Sequence, residues 1–113
     1  MDARVAQVLE YMGLTRVRHR VIPERPSGRG VLNSELRRLW IAIEIIRLPP
    51  IIIMDDPTVD LEAAFAEDIT NRLRLLADDG YTVIASLPRP IPLVFSHVNS
   101  VVLLAGGVSI FSS

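Results

Sequence analysis

Apolar and polar positions follow three different rhythms along this chain, and each predicts its own kind of element. Val5, Val8, Leu9 and Met12 recur at helical spacing behind Asp2, a residue suited to an N-cap, and Gly13 suits the left-handed end of that helix. From Thr15 to Gly30 no period survives. Arg16, Arg18, Arg20, Arg25 and Arg29 are mixed there with Pro23, Pro26, Ser27 and Gly28, the composition of a loop or linker. Helical spacing returns with Leu36, Leu39, Trp40, Ile43 and Ile46 or Arg47, where Asn33 or Ser34 can cap the start and Pro49-Pro50 ends the element.

The rhythm then changes to a continuous apolar run. Ile51 to Met54 has no polar residue alternating with it, the pattern of a short strand buried on both faces. Glu62 to Ala77 predicts a helix with Phe65, Ile69, Leu73 and Leu76 inward, closed by Asp78-Asp79-Gly80, and Tyr81 to Ser86 predicts the next strand. Strand, helix and strand at this spacing form a βαβ unit, so the two strands run parallel with a right-handed crossover. Pro88, Pro90 and Pro92 impose an extended loop, Leu93 to His97 suits a short helix, and Val101 to Phe111 folds back on itself around Gly106-Gly107 as a hairpin.

Composition narrows the partners. The chain has 113 residues, half of them hydrophobic, with a net charge of −1, which is ample for a packed core in one small domain or part of a larger one. That balance argues against nucleic acid, whose phosphates call for a basic excess. With no cysteine there are neither disulfides nor thiolate metal sites. Glu44, the prolines and Gly106-Gly107 interrupt every candidate membrane span, and Met1-Asp2-Ala3-Arg4 lacks the basic start of a signal peptide. The expectation is a soluble chain without a transmembrane segment, able to dock onto a membrane protein.

Candidate chemistry gathers where the apolar run ends. Asp55 and Asp56 follow Met54, and Pro57 stops the strand because it has no N–H to donate. In open α/β sheets ligands collect outside the carboxyl ends of strands. There one carboxylate can hold a magnesium ion while the other orients a water. The simpler reading, a polar strand exit, stays open beside it. A loop leading into the helix near Asn33 is a weak anion-site signal. Trp40 reads as core or interface packing, and His19 and His97 are lone histidines without assigned chemistry. The arginines of Thr15–Gly30 suit either a solvated loop or an acidic partner.

In order and spacing, these segments resemble the second half of an ABC transporter nucleotide-binding domain of the G subfamily, over nearly the whole chain. Val5 to Val17 is similar to the helix and Gly-Leu step before the signature, and Arg29 to Arg38 stands where the family writes a serine, two glycines and a glutamate followed by basic residues. Ile51 to Asp56 resembles the Walker B strand, Pro57 to Glu62 the run containing the D-loop, Thr82 to Pro90 the strand ending in the switch histidine, and Val101 to Phe111 the closing hairpin. The resemblance implies an α/β fold, a partial P-loop NTPase (ABC ATPase) core with a parallel βαβ unit, a helical signature segment and a C-terminal β-hairpin. It divides one partial domain into 1–31, 32–48 and 50–113.

By that resemblance Asp55 is the magnesium ligand and Asp56 stands at the catalytic glutamate position. Asn33, Ser34 and Glu35 would meet the nucleotide, in trans, on a partner's ATP. ATP and Mg2+ are the implied cofactors. The implied partners are a second nucleotide-binding domain and a transporter membrane domain, at the cytoplasmic face of a membrane or in the cytoplasm. The departures matter as much. All twelve basic residues are arginine, so the family's phosphate-loop lysine has no counterpart. Asn33 and Ser34 replace the signature glycines, whose bare backbone admits a phosphate closely. Asp56 is one methylene shorter than glutamate, Pro88 occupies the switch-histidine position, and Asp60 and Glu62 depart from the D-loop pattern. The family also places a phosphate-loop strand beside Thr82–Ser86; without it that strand's edge is unpaired, a site for aggregation or for pairing with another chain. The expectation is a degenerate cassette fragment of a transporter that hydrolyses little or no ATP alone. The alternatives are a non-catalytic module that pairs with an intact ABC ATPase, and a gene fragment without a stable fold.

Overall fold

The computed structural model describes residues 2–22 and 33–113. Helix α1 (Ala3–Tyr11) starts where the sequence predicts, with the Asp2 carboxylate accepting from the N–H groups of Arg4 and Val5. It ends through Met12 and Gly13, and Gly13 takes φ 67°, a conformation that favours glycine. A single 3-10 turn, Thr15–Val17, opens the segment predicted as loop. Arg18 to Ile22 continues it as turn and bend without regular structure, as predicted, and the rest of that prediction, including Pro23, Arg25, Pro26 and Gly28 to Gly30, lies outside the described residues.

Helix α2 (Asn33–Ile45) departs from the sequence reading in two ways. Asn33 and Ser34 are themselves helical, so neither is the non-helical cap residue, and the position before them is outside the described residues. The buried face is also rotated. Ile41, Ala42 and Ile45 are inside, while Ile43 is exposed and Trp40, at 66% exposure, is not a core residue. Leu39 to Ile46 is apolar almost all the way round, so its periodicity could not select a face; packing against α1 and the core selects it.

Strand β1 (Ile51–Asp55), helix α3 (Ala63–Asp78) and strand β2 (Thr82–Ser86) form the predicted βαβ unit. The two strands are parallel, with Ile51 opposite Thr82, Ile53 opposite Ile84 and Asp55 opposite Ser86. Helix α3 buries Ala66, Ile69, Thr70, Leu73 and Leu76, and the Thr70 hydroxyl is satisfied by the Ala66 carbonyl. Phe65 is exposed rather than inward, with Ala66 in its place. The expectation that β1 is buried on both faces fails. Ile52 is 5% exposed, but Ile51 and Ile53 are 55% and 75% exposed. Among the described residues this sheet has two strands, with helices covering one face only.

The core is a layer of Val8, Met12, Leu14, Ile41, Ala42, Ile45, Ile52, Ile69, Leu73 and Leu76 between the helices and that inner sheet face. Three arginines tie its ends together. Arg4 Nη2 donates to the carbonyl of Ile45 at 2.6 Å, at the C-terminus of α2, and to the Tyr81 hydroxyl at 3.3 Å. Arg38 and Arg72 do the same for α1: Arg38 Nη1 reaches the carbonyls of Met12 and Gly13, and Arg72 Nη1 reaches that of Tyr11. Helix C-termini leave carbonyls unsatisfied and carry partial negative charge, so cations there satisfy both demands. Asp68 pairs with both Arg38 and Arg72 and holds them in place.

Beyond β2, a 3-10 helix (Pro92–His97) inserts Val94 into the interior. The predicted hairpin follows, β3 (Val102–Ala105) and β4 (Val108–Ser112), turning on Gly106 and Gly107, both at positive φ. Every residue of its two strands is exposed.

Candidate functional site

Because side chains alternate along a strand, residues paired in register share a face. Ile51, Ile53 and Asp55 therefore lie beside Thr82, Ile84 and Ser86 on the open face of the sheet. The two carboxylates sit at the carboxyl end of this parallel pair, the mouth at which α/β sheets collect ligands.

Ser86 organises that mouth. Its hydroxyl donates to Asp55 Oδ1 across the strand pair. The same hydroxyl oxygen and the Ser86 carbonyl both accept from the Asp56 N–H, at 2.9 and 3.1 Å. Asp56 is thereby held at φ 43°, in the left-handed region that a non-glycine residue occupies only under constraint. The kink lifts the chain off the ladder into the 57–60 turn, and Thr58 Oγ1 donates to Asp56 Oδ1 at 3.3 Å. Asp60 also takes a positive φ, 58°. Neither Ser86 nor Thr58 had a role in the sequence reading. A hydroxyl residue in register with a strand-end carboxylate is the signal for the first, and it becomes visible only once the pairing register is known.

The start of α2 stands apart in character. Asn33 is exposed, but Ser34 and Glu35 are only 6% and 9% exposed, and Glu35 pairs with Arg20 at 3.5 Å. The structure links this helix to the acidic turn through Arg37, whose Nη2 donates to the Val59 carbonyl at 3.4 Å. Pro88 and Arg89, past the end of β2, are exposed.

The donor set can be tested against the implied cofactors. Magnesium prefers hard oxygen ligands and is commonly held by one or two carboxylates with phosphate oxygens and water completing the shell. An exposed Asp55 carboxylate with one oxygen engaged by Ser86 suits that requirement. Among the described residues no group of three or more His, Cys, Asp or Glu is gathered as a self-sufficient metal cage. A magnesium ion beside this one carboxylate would have to complete its shell with phosphate oxygens and water. For the triphosphate itself, the phosphate-loop lysine that would answer it has no counterpart in a chain without lysine.

No protein-family model matches the chain. Individual relatives do. It is 40% identical over 108 residues to the ABC transporter ATP-binding protein/permease wht-1 of Caenorhabditis elegans, covering 96% of this chain and 16% of that protein. It is 41% identical over 83 residues to ABC transporter G family member 11 of Arabidopsis thaliana (74% of this chain, 12% of the relative). With ABC transporter G family member 15 of Dictyostelium discoideum it shares 32% over 103 residues, 91% of this chain and 7% of the relative. The chain thus spans about a sixth or less of the length of these relatives. Its fold is similar to that of an ATP-binding cassette from an ABC transporter in its ADP conformation, with TM-score 0.79 and 19% identity, and to a nucleotide-free cassette, with TM-score 0.77 and 21% identity. Both matches cover 96% of this chain and 40% of the cassette. The βαβ unit with its acidic mouth and closing hairpin is therefore cassette architecture, and the chain belongs to the G family of ABC transporters, as part of their ATP-binding cassette.

Proposed function

We propose that this chain supplies the magnesium-facing end of a transporter cassette and does not turn over ATP by itself. In the family reading, Asp55 holds the ion, Asp56 orients the attacking water, and Asn33, Ser34 and Glu35 form the segment that meets a partner domain's nucleotide. When bound, the ion would neutralise phosphate charge. The chain's own residues set what can be done with it. The observation that carries the proposal is the mouth itself: Asp55 is oriented by Ser86, while Asp56 is short, kinked and engaged by Thr58. A general base displaced by about 1 Å loses on the order of a hundredfold in rate. The burial of Ser34 and Glu35 fits a supporting role for those two, leaving Asn33 as the side chain able to reach a ligand. In this reading the chain works at the cytoplasmic face of a membrane, through a second nucleotide-binding domain and a transporter membrane domain; none of its described helices is long and apolar enough to cross a membrane. The test is steady-state ATP turnover by the purified chain with magnesium. No release of phosphate above the Asp55→Asn variant is expected, and robust magnesium-dependent hydrolysis without a partner refutes the proposal.

A second reading is favoured by a separate observation. The open sheet face carries Ile51, Ile53 and Ile84, and the β2 sequence Thr82-Val83-Ile84-Ala85-Ser86 has no charge or proline to guard its edge. A non-catalytic module that pairs with an intact cassette would use such a surface. Co-purification with a full-length G-family transporter supports this reading; a monodisperse monomer that ignores such a transporter counts against it.

A further inference from the structure

We infer that Ser86 is a positioning residue for the magnesium-facing carboxylate, and that its hydroxyl fixes which oxygen of Asp55 is offered to an ion. The inference rests on the reading of Asp55 as the ion's ligand and adds to it a residue outside that set. Ser86 is the residue opposite Asp55 in the parallel register, on the same open face. A serine hydroxyl has one proton to give, and here it goes to Asp55 Oδ1. Its oxygen meanwhile accepts from the Asp56 N–H. One side chain therefore ties both acidic residues to β2.

The consequences are stereochemical. Oδ1 of Asp55 is engaged by Ser86, so Oδ2 is the oxygen without that hydrogen bond and the one that would be offered to a cation. Asp55 and Ser86 are both exposed, so without that bond the carboxylate would be free to rotate between solvated rotamers. A partner of this kind, one step removed from the metal, typically sets affinity by about 10- to 100-fold. Alanine at Ser86 removes the donor and the acceptor together. Threonine keeps both on the same face and is favoured in a strand.

The experiment uses the whole chain with Mn2+ as the probe and has two readouts. The first is the rotamer of Asp55, read by NMR from its Hα–Hβ couplings without any metal. A single rotamer is expected in the wild type, averaging in Ser86→Ala and a single rotamer again in Ser86→Thr. The second is Mn2+ affinity, from paramagnetic broadening of the Asp55 and Asp56 amides, with Asp55→Asn as the blank. Ser86→Ala is expected to bind about tenfold more weakly, and Ser86→Thr within about threefold of the wild type. Identical Asp55 couplings in the wild type and Ser86→Ala overturn the inference. If the couplings change as expected but Mn2+ broadening is the same in the wild type and Asp55→Asn, Ser86 still positions Asp55, and it is the magnesium reading of the mouth that falls.

Discussion

Ile52 and Ile53 are neighbours in β1 with opposite fates: the first is buried against the helices at 5% exposure, and the second stands on the open face at 75%. A parallel sheet is ordinarily covered on both sides. Among the described residues the helical layer covers one side only, and Asp55 stands on the other, at the carboxyl end of β1. Truncating Ile52 to alanine should therefore cost about 2–5 kcal/mol in a urea or thermal melt. Ile53→Ser should change stability by no more than about 0.5 kcal/mol and lower any self-association seen by light scattering. Equal destabilisation by both would mean that the outer face is covered in solution.

Gly13 and the arginines over it make a second prediction. A Cβ there would clash with Arg72 Nη2 and lie 2.8 Å from Arg38 Nη1, and φ is 67°. Those guanidinium groups cannot retreat freely, because they hold the last carbonyls of α1 and share Asp68. Gly13→Ala should lose about 1–3 kcal/mol by chemical denaturation. Adding Arg72→Ala to Gly13→Ala should then cost less than Arg72→Ala alone, a coupling that a double-mutant cycle measures.

Arg4 joins α1 to the end of α2 and to Tyr81. Its donors reach the carbonyl of Ile45, which also accepts from the Leu48 N–H, and that of Ile46 just past the helix. Arg4→Met keeps much of the apolar stem and removes the donors, so it should cost about 1–3 kcal/mol in the same melt.

Trp40 is the chain's single tryptophan and is two-thirds exposed, so its fluorescence reports directly on the face of α2. Emission should match that of a water-exposed indole, acrylamide should quench it freely, and Trp40→Ser should leave the melting curve within about 0.5 kcal/mol. Shielded, blue-shifted emission from the monomer would contradict this placement of α2.

Much of the architecture was readable from local chemistry. Asp2, Gly13 and Gly106-Gly107 each carry a backbone requirement that their own residue type answers, and the apolar run, helix and second strand admit few arrangements other than a right-handed βαβ unit. What escaped was set by contacts distant in sequence. The buried side of α2 could not be chosen from Leu39 to Ile46, where nearly every side chain is apolar. Phe65 is exposed while its neighbour Ala66 is buried, a choice set by what α3 packs against and not by the size of either side chain. The exposure of Ile51 and Ile53 depends on what lies over the sheet, which no residue within the strand encodes. At the candidate site both carboxylates fell at the predicted mouth, whereas Ser86 gained its part only from the pairing register.

The central claim is that the acidic mouth is present in a chain whose residues do not by themselves cradle a triphosphate. Isothermal titration of the purified chain with ATP and magnesium tests it most directly. The account predicts no saturable binding up to about 1 mM, corresponding to less than about 4 kcal/mol of affinity. A micromolar dissociation constant that is lost in Asp55→Asn would contradict it.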